Sequence, residues 1–179
     1  MEIDFYILDF IQENLCSPAM DVIMPFITKF GDAGIFWMAC TALLLIIPKT
    51  RGLGVTMMAA LAIEALCCNV ILKPLVARIR PYDVNQAVHI IINKPSDYSF
   101  PSGHTGVSFA AASALFFSKN KFGIPALIFA ALIGFSRLYL YVHYPTDVLA
   151  GMIIGILAGF IAAKTFTAFC EARLATPSE

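Results

Sequence analysis

Apolar positions recur along this chain in blocks with helical spacing, separated by short polar breaks. In residues 3 to 15, Ile3, Tyr6, Ile7, Phe10, Ile11 and Leu15 follow that spacing, with Asp4, Asp9, Gln12 and Glu13 elsewhere. The segment is too short and too polar to cross a bilayer comfortably. Residues 1 to 16 therefore read as an interfacial helix, with a short first span as the other reading. Apolar stretches follow at 33–48, 53–72, 103–118, 122–141 and 147–169. A hydrocarbon core about 30 Å thick needs roughly 20 helical residues, so the first of these is short, and either it tilts little or it begins nearer Phe26. Breaks fall at Pro48-Lys49-Thr50-Arg51-Gly52, residues 73–102, Ser118-Lys119-Asn120-Lys121 and Tyr144-Pro145. The pattern predicts one all-α domain over residues 1–179, a polytopic transmembrane bundle of five to six helices, without linker, low-complexity tract or repeat.

Composition sets the solvent. Of 179 residues, 59% are apolar and 13% charged, with a mean hydropathy of +0.80, well outside the balance of a soluble domain. The formal net charge is zero, so bulk electrostatics offer nothing to nucleic acid and any anion site must be local. Cys16, Cys40, Cys67, Cys68 and Cys170 lack the paired spacing of zinc or redox sites and read as small buried hydrophobes. The acidic start, Glu2, Asp4 and Asp9, argues against a cleavable signal peptide. Cations in alternating loops tie: Lys49, Arg51, Lys119, Lys121, Lys164 and Arg173 face Lys29, Lys73, Arg78, Arg80, Lys94 and Arg137. If Lys73, Arg80 and Arg137 are reserved for chemistry, the count is six to three, and the positive-inside rule puts all three on the outer face.

Three polar clusters stand at the mouths of these apolar segments, on one side of the predicted topology. Lys73 and Arg80 are seven residues apart, so a helix there would set both cations on one face, with Pro74 in its first turn and Pro81 ending it. Snorkelling to lipid headgroups is the alternative. In Pro101-Ser102-Gly103-His104, Ser102 suits an N-cap, and Gly103 lets backbone N–H groups approach an anion beside His104, a candidate general acid. An interfacial hydrogen-bonded histidine is the plainer reading. In Ser136-Arg137 through His143 to Asp147, Pro145 can open the last helix, leaving Asp147 four residues after His143. A carboxylate on one ring nitrogen leaves the other free as a nucleophile, and Arg137 offers a planar fork for phosphate oxygens. Here too an incidental histidine near a helix-start carboxylate competes. Glu64 lies inside an apolar span, where packing is favoured over a role at the pocket floor. Asn69 sits one turn before Lys73, and His89 belongs to a loop over the membrane surface.

Taken together, Lys73-x6-Arg80-Pro81, Pro101-Ser102-Gly103-His104 and Ser136-Arg137-x5-His143-x3-Asp147 resemble the tripartite signature of the type 2 phosphatidic acid phosphatase (PAP2) superfamily. The resemblance covers roughly residues 20 to 170. It implies a metal-independent phosphatase with a helical core like that of the soluble haloperoxidases, whose branch the apolar composition excludes. By the same resemblance His143 attacks phosphorus, Asp147 orients it, and His104 protonates the leaving group and then activates water. Lys73, Arg80, Ser102, Gly103 and Arg137 hold the phosphate, with no cofactor. The implied partners are the bilayer and a lipid phosphate or diphosphate, foremost undecaprenyl (isoprenoid) diphosphate, in a bacterial plasma membrane. Phosphatidylglycerophosphate or phosphatidate hydrolysis, lipid phosphotransfer, and non-catalytic binding of anionic lipid are the alternatives.

Overall fold

The computed structural model describes residues 2–175, with side chains to Arg173. They form helices α1 (Glu2–Leu15), α2 (Pro18–Thr28), α3 (Ile35–Ile46), α4 (Arg51–Ala65), α5 (Lys73–Val76), α6 (Pro81–Val84), α7 (Gly103–Phe117), α8 (Gly123–Tyr139) and α9 (Pro145–Ala175). Each predicted apolar stretch is a helix. By length and composition three runs suffice to cross a membrane, Pro18–Ile46, Pro48–Val84 and Pro145–Arg173; Gly123–Tyr139 is apolar but shorter. With α1 and α7, these make six helical runs.

Three local features depart from the sequence reading. The first run starts at Pro18, not near Phe26. Ser17 caps it by accepting from Met20 N–H at 3.4 Å, and Pro18 suits the first turn. A kink divides it at Asp32 (ψ 119°), Ala33 (φ 47°) and Gly34 (φ 66°), where α3 begins. The second run leaves α4 through a π-helical segment, Leu66–Leu72, before α5. In α1 the buried side chains are Asp4, Leu8 and Ile11, while Ile3, Tyr6 and Phe10 stay exposed. A carboxylate is buried there because a cation from another segment meets it.

Helix α7 is the centre of the bundle, packed against α9, α8 and α4. Its small residues, with Ala110, Ala111, Ala112 and Ala114 fully buried, let neighbours approach closely. On α9, Gly151, Gly155 and Gly159 recur every fourth residue and lie against α7 backbone. A Cβ on Gly155 would sit 2.5 Å from Gly106 O and 2.8 Å from Ala110 N. This is small-residue packing of the kind that joins helices in lipid, where apolar burial alone distinguishes poorly between partners. Trp37, Met57, Ile133 and Ala158 fill the core around it, and Trp37 Nε1 donates to Ser108 Oγ at 3.0 Å. At one end a second cluster joins Leu8, Ile11, Met24 and Tyr82 to Tyr139–Tyr144. The large apolar side chains left exposed, such as Leu43, Ile46, Val70 and Ile124, fit a bilayer as solvent.

Replacing Gly155 by Leu should push α9 off α7 and destabilise the protein by about 1–3 kcal/mol. Thermal unfolding in detergent measures this, with Ile153→Leu on the exposed side of α9 as the neutral control.

Candidate active site

The turn from Leu140 to Tyr144 reverses the chain between α8 and α9 and is almost wholly buried. It carries His143, and the first turn of α9 carries Asp147, which is 0% exposed. His143 Nδ1 lies 3.5 Å from Asp147 Oδ2, and its Nε2 lies 3.3 Å from Arg80 Nη1. A guanidinium only donates, so Nε2 holds the lone pair and the ring proton sits on Nδ1, facing the carboxylate. Burial pushes the His143 pKa down to about 3, with Arg80 and Arg137 acting in the same direction and Asp147 opposing. The ring is a neutral base with its free nitrogen among cations.

Asp147 is anchored on both oxygens. Oδ2 accepts from Ser99 Oγ at 2.5 Å and Tyr144 N–H at 2.9 Å, and Oδ1 accepts from Arg78 Nη1 at 2.6 Å. Its backbone carbonyl accepts Ser102 N–H at 3.1 Å, joining the starts of α7 and α9.

Lys73 and Arg80 do not sit two turns apart on one helix. Helix α5 ends at Ala77 in the left-handed region (φ 47°), the chain runs extended to Arg80, and Pro81 opens α6 instead of closing a helix. Both cations nonetheless converge on Asp97. Lys73 Nζ pairs with Oδ2, and Arg80 Nη2 donates to Oδ1 at 2.7 Å while its Nε donates to Asp97 O at 2.8 Å. Partial burial alone would raise the Asp97 pKa, but the hydrogen bonds and charges of Lys73 and Arg80 outweigh it and hold the carboxyl at about 2.

Ser102 occupies the N-cap position of α7 but does not cap with its side chain; its hydroxyl pairs with Thr105 Oγ1 at 2.9 Å. Gly103 brings bare backbone beside two polar side-chain ends: a Cβ there would lie 3.3 Å from Asn69 Oδ1 and 3.8 Å from Lys73 Nζ. His104 Nε2 pairs with Asp32 Oδ1 at 2.7 Å. Its ring packs on Gly31, where a Cβ would come within 2.7 Å of it. Arg137 is buried, donates to Thr28 Oγ1 at 2.6 Å, and has no hydrogen-bond partner at Nε.

Two cavities meet at His104. One of about 790 Å³ runs past Thr28, Lys29, Asp32, His89 and Arg137. A smaller one of about 310 Å³ reaches Lys73, Asn69, Gly103 and, deeper, Glu64. Glu64 is buried and its Oε1 has no hydrogen-bond partner. Among the described residues no group of three His, Cys, Asp or Glu side chains is placed to hold a metal ion.

All eight residues singled out from the sequence thus gather at one end of the bundle. Asp97, Ser99, Asp32 and Arg78 were missed. Arg78 and Asp97 sit in segments without periodicity, and only the excess of charge around Arg80 hinted at partners.

A cationic pocket around a buried His–Asp pair, at the end of an all-helical membrane bundle, suits transfer of a phosphoryl group. Residues 52–169 match the family model of the PAP2 superfamily, and the chain belongs to that superfamily. It is 36% identical over 143 residues to the undecaprenyl-diphosphatase of Sulfolobus acidocaldarius, covering 79% of this chain and 68% of that protein. It is 40% identical over 108 residues to undecaprenyl-diphosphatase BcrC of Bacillus subtilis, covering 60% of this chain and 53% of that protein. The crystal structure of the transmembrane PAP2 type phosphatidylglycerolphosphate phosphatase from Bacillus subtilis superposes with a TM-score of 0.75 at 27% identity, covering 93% of this chain and 85% of that one.

In the ligand-free protein the His143 ring should be neutral and protonated on Nδ1 between about pH 5 and 7. Nitrogen-15 spectra of histidine-labelled protein check this; an imidazolium pattern would contradict it. Because the folded pKa lies below the ordinary 6.5, the unfolded chain binds more protons. This group's contribution to stability is present above about pH 6.5 and is lost as pH falls towards 3.

Proposed function

We propose that this chain hydrolyses the terminal phosphate of a membrane lipid phosphate or diphosphate through a phosphohistidine, with an isoprenoid diphosphate such as undecaprenyl diphosphate as its substrate. The observation that carries the reading is the poise of His143: Nε2 unprotonated among Arg80 and its neighbours, Nδ1–H towards an ionised carboxylate. Two relatives bear the name undecaprenyl-diphosphatase, which supports the choice of lipid.

In this reading the substrate phosphate takes the place between Lys73 and Arg80 that Asp97 holds in the free protein. Arg80 turns from His143 Nε2 to a phosphate oxygen, and Arg137, Ser102 and the Gly103 N–H bind the others. His143 Nε2 attacks phosphorus, the phosphorus–oxygen bond to the lipid breaks, and His104, protonated in the substrate complex between Asp32 and the phosphate, gives that oxygen its proton. Water then loses a proton to His104 and attacks phosphorus, and the bond from phosphorus to His143 Nε2 breaks. Inorganic phosphate leaves and His143 is restored. Asp32 keeps His104 oriented for both steps.

The site opens on the outer face of a plasma membrane. Lys73, Arg78, Arg80 and Arg137 all have structural partners on this side, so they are poor reporters of topology. Without them only Lys29 and Lys94 oppose six cations at the other end. Helix α1 lies in that outer interface, part of the single domain.

Purified protein in detergent with excess EDTA should release phosphate from a panel of isoprenoid diphosphates, phosphatidylglycerophosphate and phosphatidate, fastest from the first. His143→Ala should lower kcat at least ~1,000-fold. Undiminished turnover by that variant would overturn the mechanism. Replacing Asp97 by Asn removes the internal competitor for Lys73 and Arg80, so inorganic phosphate should inhibit at severalfold lower concentration, read as its inhibition constant.

A further inference from the structure

Arg78 lies inside the Lys73–Arg80 stretch without being one of its fixed positions, yet it makes the closest charged contact to the carboxylate beside His143. Nη1 donates to Asp147 Oδ1 at 2.6 Å and to Thr146 Oγ1 at 2.7 Å, and Nη2 donates to Asp4 Oδ2 at 2.8 Å. The guanidinium carbon sits 3.8 Å from the Tyr144 ring centroid, and Phe5 of α1 holds that ring edge-on at 5.5 Å. Asp4 Oδ1 accepts from Thr146 N–H at 3.1 Å and from its hydroxyl at 2.9 Å. The Asp4 side chain is 6% exposed.

Charge balance explains why an amphipathic helix buries a carboxylate here. A guanidinium bound to Asp147 alone would neutralise the group that must face a cationic ring. With Asp4 on its other edge, one guanidinium is shared by two carboxylates, and the trio keeps one net negative charge. When Nε2 of His143 bonds to phosphorus, the ring becomes cationic with its proton on Nδ1, 3.5 Å from Asp147 Oδ2. The remaining negative charge stabilises that state and not the neutral ring that precedes it.

We propose that Arg78 and Asp4 are positioning residues of this site: Arg78 fixes the Asp147 carboxylate against His143, and Asp4 restores the negative charge that Arg78 offsets. Helix α1 is then part of the phosphoryl-transfer apparatus and not only a surface anchor. The inference rests on His143 being the nucleophile.

The test uses the full chain in detergent and compares wild type with Asp4→Asn, Asp4→Glu and, as a control on the same helix, Asp9→Asn. Asp9 accepts from Tyr141 Oη at 2.8 Å and touches neither Arg78 nor Asp147. Three readouts are taken: kcat and KM on the lipid that wild type turns over best, the His143 Nδ1–H proton resonance, and the unfolding midpoint. Asp4→Asn should lower kcat on the order of tenfold with KM unchanged and move the Nδ1–H resonance upfield. Asp4→Glu should recover part of both, and Asp9→Asn should change neither. An Asp4→Asn enzyme with wild-type kcat, or one whose kcat falls only with its unfolding midpoint while the resonance stays put, would overturn the proposal and leave Asp4 a strut. If wild type turns over no lipid, the phosphatase reading fails. The resonance still decides whether Asp4 acts on His143.

Discussion

An ionised carboxylate with no solvent at all is the constraint around which this end of the molecule is organised. Asp147 has lost its hydration, and a buried charge is strongly destabilising unless every lone pair finds a partner. The partners come from distant parts of the chain: Ser99 from the loop before α7, Arg78 from beyond α5 and the Tyr144 N–H from the turn before α9, with the His143 ring 3.5 Å away. Removing one partner of such a set typically costs about 3–5 kcal/mol, because the charge stays behind. The loops at this end are held in place by what the carboxylate lacks, which is how irregular segments come to be as buried as a core.

The same two helices that meet at Asp147 are pressed together by their glycines. Gly151, Gly155 and Gly159 bring α9 against the α7 backbone, and the upper ends of these helices carry Asp147 and the Ser102–His104 segment. Close backbone packing leaves little freedom to slide, so the bond from Ser102 N–H to Asp147 O inherits its geometry from the core. Membrane packing and site geometry are one problem here.

The three polar clusters were legible in the sequence because each combines fixed spacing with residues that are costly at the end of an apolar segment. The apolar blocks likewise translated into helices at 35–46, 51–72, 103–117, 123–139 and 145–175. Helix α2 was hidden because Asp21 and Pro25 interrupt an otherwise apolar run. The break after α5 was invisible for a different reason: Ala77 adopts φ 47°, and nothing about alanine announces a left-handed turn. Arg78, Asp97 and Asp32 could not be recognised because their partners lie tens of residues away. What a lone charge does is decided by what folds against it.

The π-helical segment Leu66–Leu72 sits directly below Lys73. A wide turn absorbs an extra residue relative to an α-helix, so the helix beyond it stays in register, whereas a residue added or removed within an ordinary α-helix rotates everything downstream by roughly 100°. Loss of one residue from the π-helical segment would therefore be taken up by tightening into ordinary helical bonding, with Lys73 kept on the face that meets Asp97. The same loss one turn earlier, within α4, would carry Lys73 to another side of the span. At this point in the chain length is tolerated where elsewhere in the same helix it is not.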